Sequence, residues 1–188
     1  MKKATTLFLM GALSAWGCGG GDDSPAVAPA PPAAATAPTT AAAPSAPAAA
    51  AGDSNFGTVS VRPGFMPDPT TASGTSGGST DAATLNSDCN GWIAGTPDHL
   101  LVAGGDFSSL RVMAHATTDG EDVTLVIQKP DGSYMCNDDT EGFDPVVAGA
   151  FPAGTYKIWI GSYEHGANEA YKLGVSELDS VTPSSLGN

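Results

Sequence analysis

Hydrophobic and polar residues alternate with a period of two through much of the chain beyond residue 98. In LRVMAHA, Leu110, Val112 and Ala114 fall on one side and Arg111, Met113 and His115 on the other. VTLVIQK sets Val123, Leu125 and Ile127 against Thr124, Val126 and Gln128. TYKIWIGSY sets Tyr156, Ile158 and Ile160 against Lys157 and Trp159, and YKLGVSE continues with Tyr171, Leu173 and Val175. HLLVAG, from His99, is a further strand candidate. Side chains of a strand point alternately to its two faces, so each run predicts a strand with one face on a core. The turn signals TTDGED, PDG and PAGT lie between the runs, and no stretch offers an amphipathic helix of about ten residues. The pattern predicts an all-β fold, a single β-sandwich or jelly-roll-like domain over residues 55–179, followed by a flexible tail over 180–188.

The first part of the chain has a different character. Lys2 and Lys3 precede a charge-free apolar run from Ala4 to Trp16, too short to span a bilayer and suited to a signal peptide over residues 1–17. Ala15, Trp16, Gly17 and Cys18 close that run. They resemble a bacterial lipobox, which implies a lipid on Cys18 and a mature chain that starts there. Ala15 and Trp16 depart from the commonest pattern, and an ordinary secretory signal cleaved nearby or a plain N-terminal anchor is the alternative. Within the linker of residues 18–54 the composition collapses, from Gly21 to Ala51, to alanine, proline, threonine and serine, without an aromatic residue. Such a segment cannot bury a core and is expected to be a disordered linker, about 90 Å long at full polyproline extension. The expected location is the bacterial cell envelope, at the outer membrane or cell surface, with the membrane as partner through the lipid anchor.

Charge narrows the remaining partners. Loss of Lys2 and Lys3 with the signal leaves five basic residues against 20 acidic ones, a net charge near −15. That surface repels nucleic acid and anionic lipid but leaves cations, a polysaccharide or an envelope protein as partners for a monomer. Three cysteines become one pair once Cys18 is lipidated, and in an oxidising compartment Cys89 and Cys136 are expected to form a disulfide. A zinc site is disfavoured because neither CxxC nor Cys-His spacing is present.

Several motifs together extend this reading. GFMPDP, GTSGG, a cysteine before GWI, TLVIQKPDGSYMCNDDTEGFDP, AGTYKIWIGSY and YKLGVSE follow one another from Phe56 to Leu178. This order is similar to the pre-peptidase C-terminal type of module found on exported bacterial proteins and proteases. The resemblance implies an all-β, non-catalytic accessory domain. Catalytic residues are therefore expected to be absent.

Ser76, within GTSGGS, imitates the surroundings of a serine nucleophile, but it precedes every histidine and there is no GxSxG elbow. The hydrolase reading is the least favoured, and the stretch SGTSGGST reads as a flexible loop. His99, His115 and His165 lack metal-binding spacing and are expected to be solvated. Trp92, Tyr134, Phe143, Trp159 and Tyr163 are candidates for a glycan platform, in which flat rings stack on sugar faces; core packing of the two tryptophans is the alternative. Asp138, Asp139, Glu141 and Asp144 crowd within seven residues, with Asp131 in the turn before. No cofactor is required, but calcium suits such a loop, as does a solvated acidic turn. An EF-hand is excluded because Ala148 occupies its twelfth position. The function expected from the sequence is an accessory or binding module of unspecified ligand, with glycan binding as the principal alternative.

Overall fold

The computed structural model describes residues 53–187. The signal peptide, Cys18 and nearly all of the Ala/Pro linker lie outside the described residues. Two sheets and two short 3-10 turns make up the regular structure, with no α-helix among the described residues.

The first sheet is organised by β10 (Gly154–Ser162), which takes partners on both edges. One edge pairs with β5 (His99–Ala103), from Gly154↔Ala103 to Ile158↔His99, and near its end with β4 (Trp92–Ile93). The other edge pairs with β7 (Val123–Gln128), which continues through a hairpin into β8 (Tyr134–Asn137). β1 (Thr58–Val61) runs parallel to β5, and β3 (Thr80–Asp81) pairs with β4. The second sheet, wholly antiparallel, has the order β2 (Thr70–Thr75), β11 (Ala170–Ser176), β6 (Phe107–Ala116), β9 (Val146–Phe151).

The alternating runs became strands as expected, and their apolar sides meet between the sheets. Leu110, Val112 and Ala114 from β6 pack in one cluster with Leu125 and Ile127 from β7, Ile158 and Ile160 from β10 and Leu173 from β11. All eight have essentially no exposed surface. Complete burial of such a side chain contributes about 1.5–3 kcal/mol each for the large aliphatics, so this inter-sheet layer dominates the fold's stability.

The opposite faces depart from the simple pattern, because each sheet is covered on its outer side as well. On the first sheet, residues 82–93 lie over Val126 and Trp159, and Ala82, Cys89 and Ile93 complete a second small core. A disulfide between Cys89 and Cys136, with Cα atoms 5.1 Å apart, fastens this cover to β8. On the second sheet the C-terminal turn Pro183–Gly187 covers Met113 with Val181 and Leu186. The expectation of a flexible tail over 180–188 is thus corrected for residues 180–187: Leu186 is buried, and a Cβ on Gly174 would lie 2.7 Å from its methyl group. Two apolar residues in nine gave no periodic signal, yet they suffice to cover an outward-facing methionine.

The glycine-rich stretch before residue 80 is also corrected. Residues 70–75 form β2, and Ser76 is buried rather than sitting in a mobile loop. Six register pairs to β11 supply the backbone hydrogen bonding that the small side chains could not predict. Gly74 has a packing role here, because a side chain would collide with the Tyr171 ring.

Candidate functional site

The acidic hairpin begins with the turn Lys129–Ser133. Gly132, at φ 87°, adopts the left-handed conformation that closes it, and Lys129 N–H donates to Ser133 O at 2.8 Å. Asp131 accepts from the Ser133 hydroxyl and amide, which, with Lys129 nearby, holds its carboxyl below the usual carboxylate range. Beyond Cys136, the side chains are used locally. Asn137 Oδ1 accepts from Val146 N and from the Thr140 hydroxyl, tying the two ends of the loop together. Asp138 accepts from Asn90 Nδ2 at 2.7 Å and from Asp139 N. Asp144 pairs with His115 Nδ1 at 2.6 Å and accepts from Ala116 N at 3.1 Å.

These contacts bear on the expected calcium loop of Asp138, Asp139, Glu141 and Asp144. Asp144 is turned toward β6, Asp138 toward residue 90, and Asp139 is exposed. Among the described residues, no three His, Cys, Asp or Glu side chains converge in a way that could hold a metal ion.

The five aromatic residues expected to form a glycan platform do not share one surface. Trp159 is only 6% exposed, inside the small core under residues 82–93, so its ring face is unavailable; its outward strand position is covered by that distant segment. Trp92 is half-buried and meets the His165 ring edge-on, with centroids 4.2 Å apart. Tyr134 accepts from Gln128 Nε2 and lines, with Trp159, Lys157 and Thr80, a trough of about 370 Å³. The Trp159 indole N–H is buried there without a partner. Tyr163 stands apart from these three and is 53% exposed.

Tyr163 belongs to a different cleft, of about 380 Å³, that it shares with Phe143, Ala167, Glu121, Asp122, Glu164 and Glu169. Three chain segments build it. Tyr163 N–H donates to Asp122 O at 3.1 Å, and Val123 N–H to Phe143 O at 3.4 Å, which fixes both aromatic residues against the start of β7. Glu169 is held from behind: Ser76 Oγ donates to it at 2.7 Å, Ser162 Oγ donates to it as well, and its own N–H donates to Ser76 Oγ. Asp122 is the strained member. Its Oδ1 is buried without a hydrogen-bond partner, and burial, reinforced by the charges of Asp139, Asp138, Glu169 and Glu164, pushes its carboxyl up to about 6.

Of this cleft the sequence revealed only Phe143 and Tyr163, as two of five aromatic candidates. Glu121 and Asp122 ended a turn motif, and Glu164 and Glu169 flanked the loop EHGAN, about 40 residues further on. No local spacing joins those segments.

Two other expectations are resolved here. Ser76 is 2% exposed, and its hydroxyl is engaged by Ser162 and Glu169 rather than by a histidine, an arrangement unsuited to nucleophilic attack. His99, expected to be solvated, is fully buried: its Nε2 lies 2.8 Å from Tyr171 Oη, and burial lowers its pKa to about 4. The strand pattern HLLVA gave no warning, because β5 is covered on both faces. His165 is exposed against Trp92, whereas His115 is half-buried and engaged by Asp144.

No family model matches the chain, and no curated protein matches it in sequence. Two solved structures are similar to part of it. The pre-peptidase C-terminal domain of collagenase from Bacillus anthracis is 14% identical, with a TM-score of 0.40 over 63% of this chain and 94% of that domain. A periplasmic lysozyme inhibitor of g-type lysozyme from Aeromonas hydrophila is 17% identical, with a TM-score of 0.35 over 63% of this chain and 96% of that protein.

Proposed function

We propose that the chain is a non-catalytic binding module, exported and held at the cell envelope by a lipid on Cys18, and that it binds a glycan in the cleft between Phe143 and Tyr163. One observation carries the ligand assignment. Phe143 is 52% and Tyr163 53% exposed, and both open into the same cleft, beside carboxylates that can accept hydrogen bonds from sugar hydroxyls. Large aromatic side chains are costly to leave in water, and a sugar's apolar face covers them while its hydroxyls find polar partners. The cleft is also of a size suited to one or two sugar units. The absence of catalysis is supported by the burial of Ser76, the sole residue with a nucleophile-like context. The anchor reading rests on the AWGC sequence and the linker that follows it.

Affinity electrophoresis of the full chain through gels containing soluble polysaccharides tests the ligand. Retardation by at least one polysaccharide is expected, with Tyr163→Ala and Phe143→Ala restoring free mobility while the melting temperature stays near that of the wild type. Retardation that survives both substitutions would move the site elsewhere. For the anchor, Cys18→Ala should release the protein from the membrane fraction, and unchanged fractionation would refute it.

A further inference from the structure

We propose that the trough lined by Tyr134, Lys157 and Trp159 is a docking groove for this chain's own linker, filled by the segment Pro44-Ser45-Ala46-Pro47. The inference is independent of the glycan cleft. It starts from the point at which the linker reaches the domain. Asn55 N–H donates to Pro97 O at 2.8 Å, its Nδ2 donates to Thr96 O and Asp98 Oδ1, and Phe56 N–H donates to Asp98 O. β1 then runs parallel to β5, with Thr58 opposite Leu100 and Val61 opposite Ala103. Carried upstream at the same offset, that pairing sets Asp53 level with Gly95. Gly95 and Ala94 line the trough, so the linker meets the domain beside it.

The chemistry of the trough fits a neutral, extended, proline-bearing segment. Its walls include Tyr134, Trp159, Ile93 and Leu85, and Leu85 is 37% exposed. Lys157 is the sole charged side chain among the lining residues, and it enters no ion pair among the described residues. Tyr134 Oη accepts from Gln128 Nε2, which leaves its own hydroxyl proton to donate. Polyproline II makes no internal hydrogen bonds, so its carbonyls take donors from outside, and aromatic-lined grooves are its usual receptors. Lys157 and Tyr134 supply such donors, and the apolar walls receive proline rings.

The linker meets these demands. From Ser24 to Gly52 it carries no charge, so the acidic surface of the domain does not repel it. Pro44 and Pro47 stand three positions apart, one turn of polyproline II, which puts both rings along one edge. Pro47 lies six positions before Asp53, a reach of up to about 20 Å. Crossing from β1 over β5 to β10 takes only about 10 Å. The earlier prolines, Pro29 to Pro32, would have to close a longer loop at a greater cost in entropy. Docking removes residues 44–52 from the free tether, so the domain swings on a shorter lead.

The test compares amide and indole N–H NMR spectra of the full chain carrying Cys18→Ala with those of the same chain carrying Pro44→Ser and Pro47→Ser as well. Signals of Gly95, Lys157 and the Trp159 indole should move between the two, while those of Tyr163 and Glu164 stay in place. A synthetic peptide of residues 40–52, added to the serine variant, should move the trough signals back. Its dissociation constant should be about 1 mM, which the millimolar effective concentration of a tethered segment converts into substantial docking. Lys157→Gln with Tyr134→Ser should abolish both effects. If that pair unfolds, Lys157→Gln alone, at an exposed position, should weaken peptide binding about threefold. Identical spectra of the parent and serine chains overturn the proposal. So do changes confined to the Phe143–Tyr163 cleft, changes that grow with protein concentration and so identify a second copy as the occupant, or peptide binding unaltered in the trough variants.

Discussion

The hairpin Asn137–Asp144 and the cleft beside Asp122 are both acidic, and they treat their carboxylates in opposite ways. In the hairpin, Asp138 and Asp144 are engaged by Asn90, His115 and two backbone amides. In the cleft, Asp122 keeps an orphaned oxygen among four further negative charges. The hairpin's density of acid is a folding device. It draws the loop onto β6 and onto the disulfide-anchored cover. The sparser acid of the cleft is left unbalanced, and burial keeps the Asp122 oxygen from finding a partner. Density along the chain is thus a weaker guide to a site than the inventory of partners each group has found.

Four experiments break or sharpen that contrast. Cutting the hairpin loose should have the largest effect. The Cys89–Cys136 bridge closes a 47-residue separation, and Cys89→Ser with Cys136→Ser should lower stability by about 4 kcal/mol in denaturant titrations. A loss below about 1 kcal/mol would mean that packing alone holds the cover and hairpin in place.

Next comes the hairpin's main attachment. Asp144→Ala removes the acceptor of His115 and Ala116 at a site where both side chains are mostly buried, so stability should fall by about 2 kcal/mol. His115→Ala in the same background should then add little, since the shared contact is already gone. Additive losses would show that the two residues act separately.

The cleft should respond in the opposite direction. Asp122 titrates at about 6 in the folded state against 3.8 as the ordinary value. A raised carboxyl favours the protonated folded form, so its cost is absent below pH 3.8, grows as pH rises, and is complete above pH 6. Asp122→Asn should therefore stabilise the domain at neutral pH, by about 1 kcal/mol once solvent screening is allowed for. The gain should disappear on acidification toward pH 4, a range measured by denaturant titrations at stepped pH. Destabilisation at neutral pH would show that Asp122 has an unseen partner and that the two acidic regions are alike.

Calcium should produce the smallest change. With Asp144 committed to His115 and Asp138 to Asn90, the hairpin retains too few free carboxylates to gather a cation. Melting temperatures in excess calcium and in chelator are expected to differ by less than about 1 °C, against the several degrees that occupancy at a hundred times the dissociation constant would give. A shift of several degrees, lost in Asp139→Ala, would turn the hairpin into a metal site and reverse the comparison.

A buried neighbour shows how a carboxylate behaves when its partners are inside the protein. Asp98 is 1% exposed and accepts from Asn55 Nδ2 and Ile160 N, yet burial still raises its carboxyl to about 6. Beside it, His99 falls to about 4. Between pH 4 and 6 the folded pair holds its proton on Asp98 and the unfolded pair holds one on His99, so their opposing contributions to the pH dependence of stability nearly cancel. Asp122 has no such counterpart, which makes its own titration easier to detect.

Period-two alternation, read from the sequence alone, determined β6, β7, β10 and β11 and their inward residues, because neighbouring side chains on a strand must point to opposite faces. Leu110, Val112, Leu125, Ile127, Ile158 and Leu173 all lie in the layer between the sheets. Cysteine parity likewise identified the Cys89–Cys136 bridge. Only the tertiary structure decided what covers the outer faces. Trp159 and Met113 occupy outward positions, and whether such a position meets water depends on residues 82–93 or 181–186, which arrive from elsewhere in the chain. The cleft belongs to the same category. Asp122, Phe143, Tyr163 and Glu169 become neighbours only when β7 and β10 pair and the hairpin folds back, so the balance of charge that distinguishes them is a property of contacts distant in sequence.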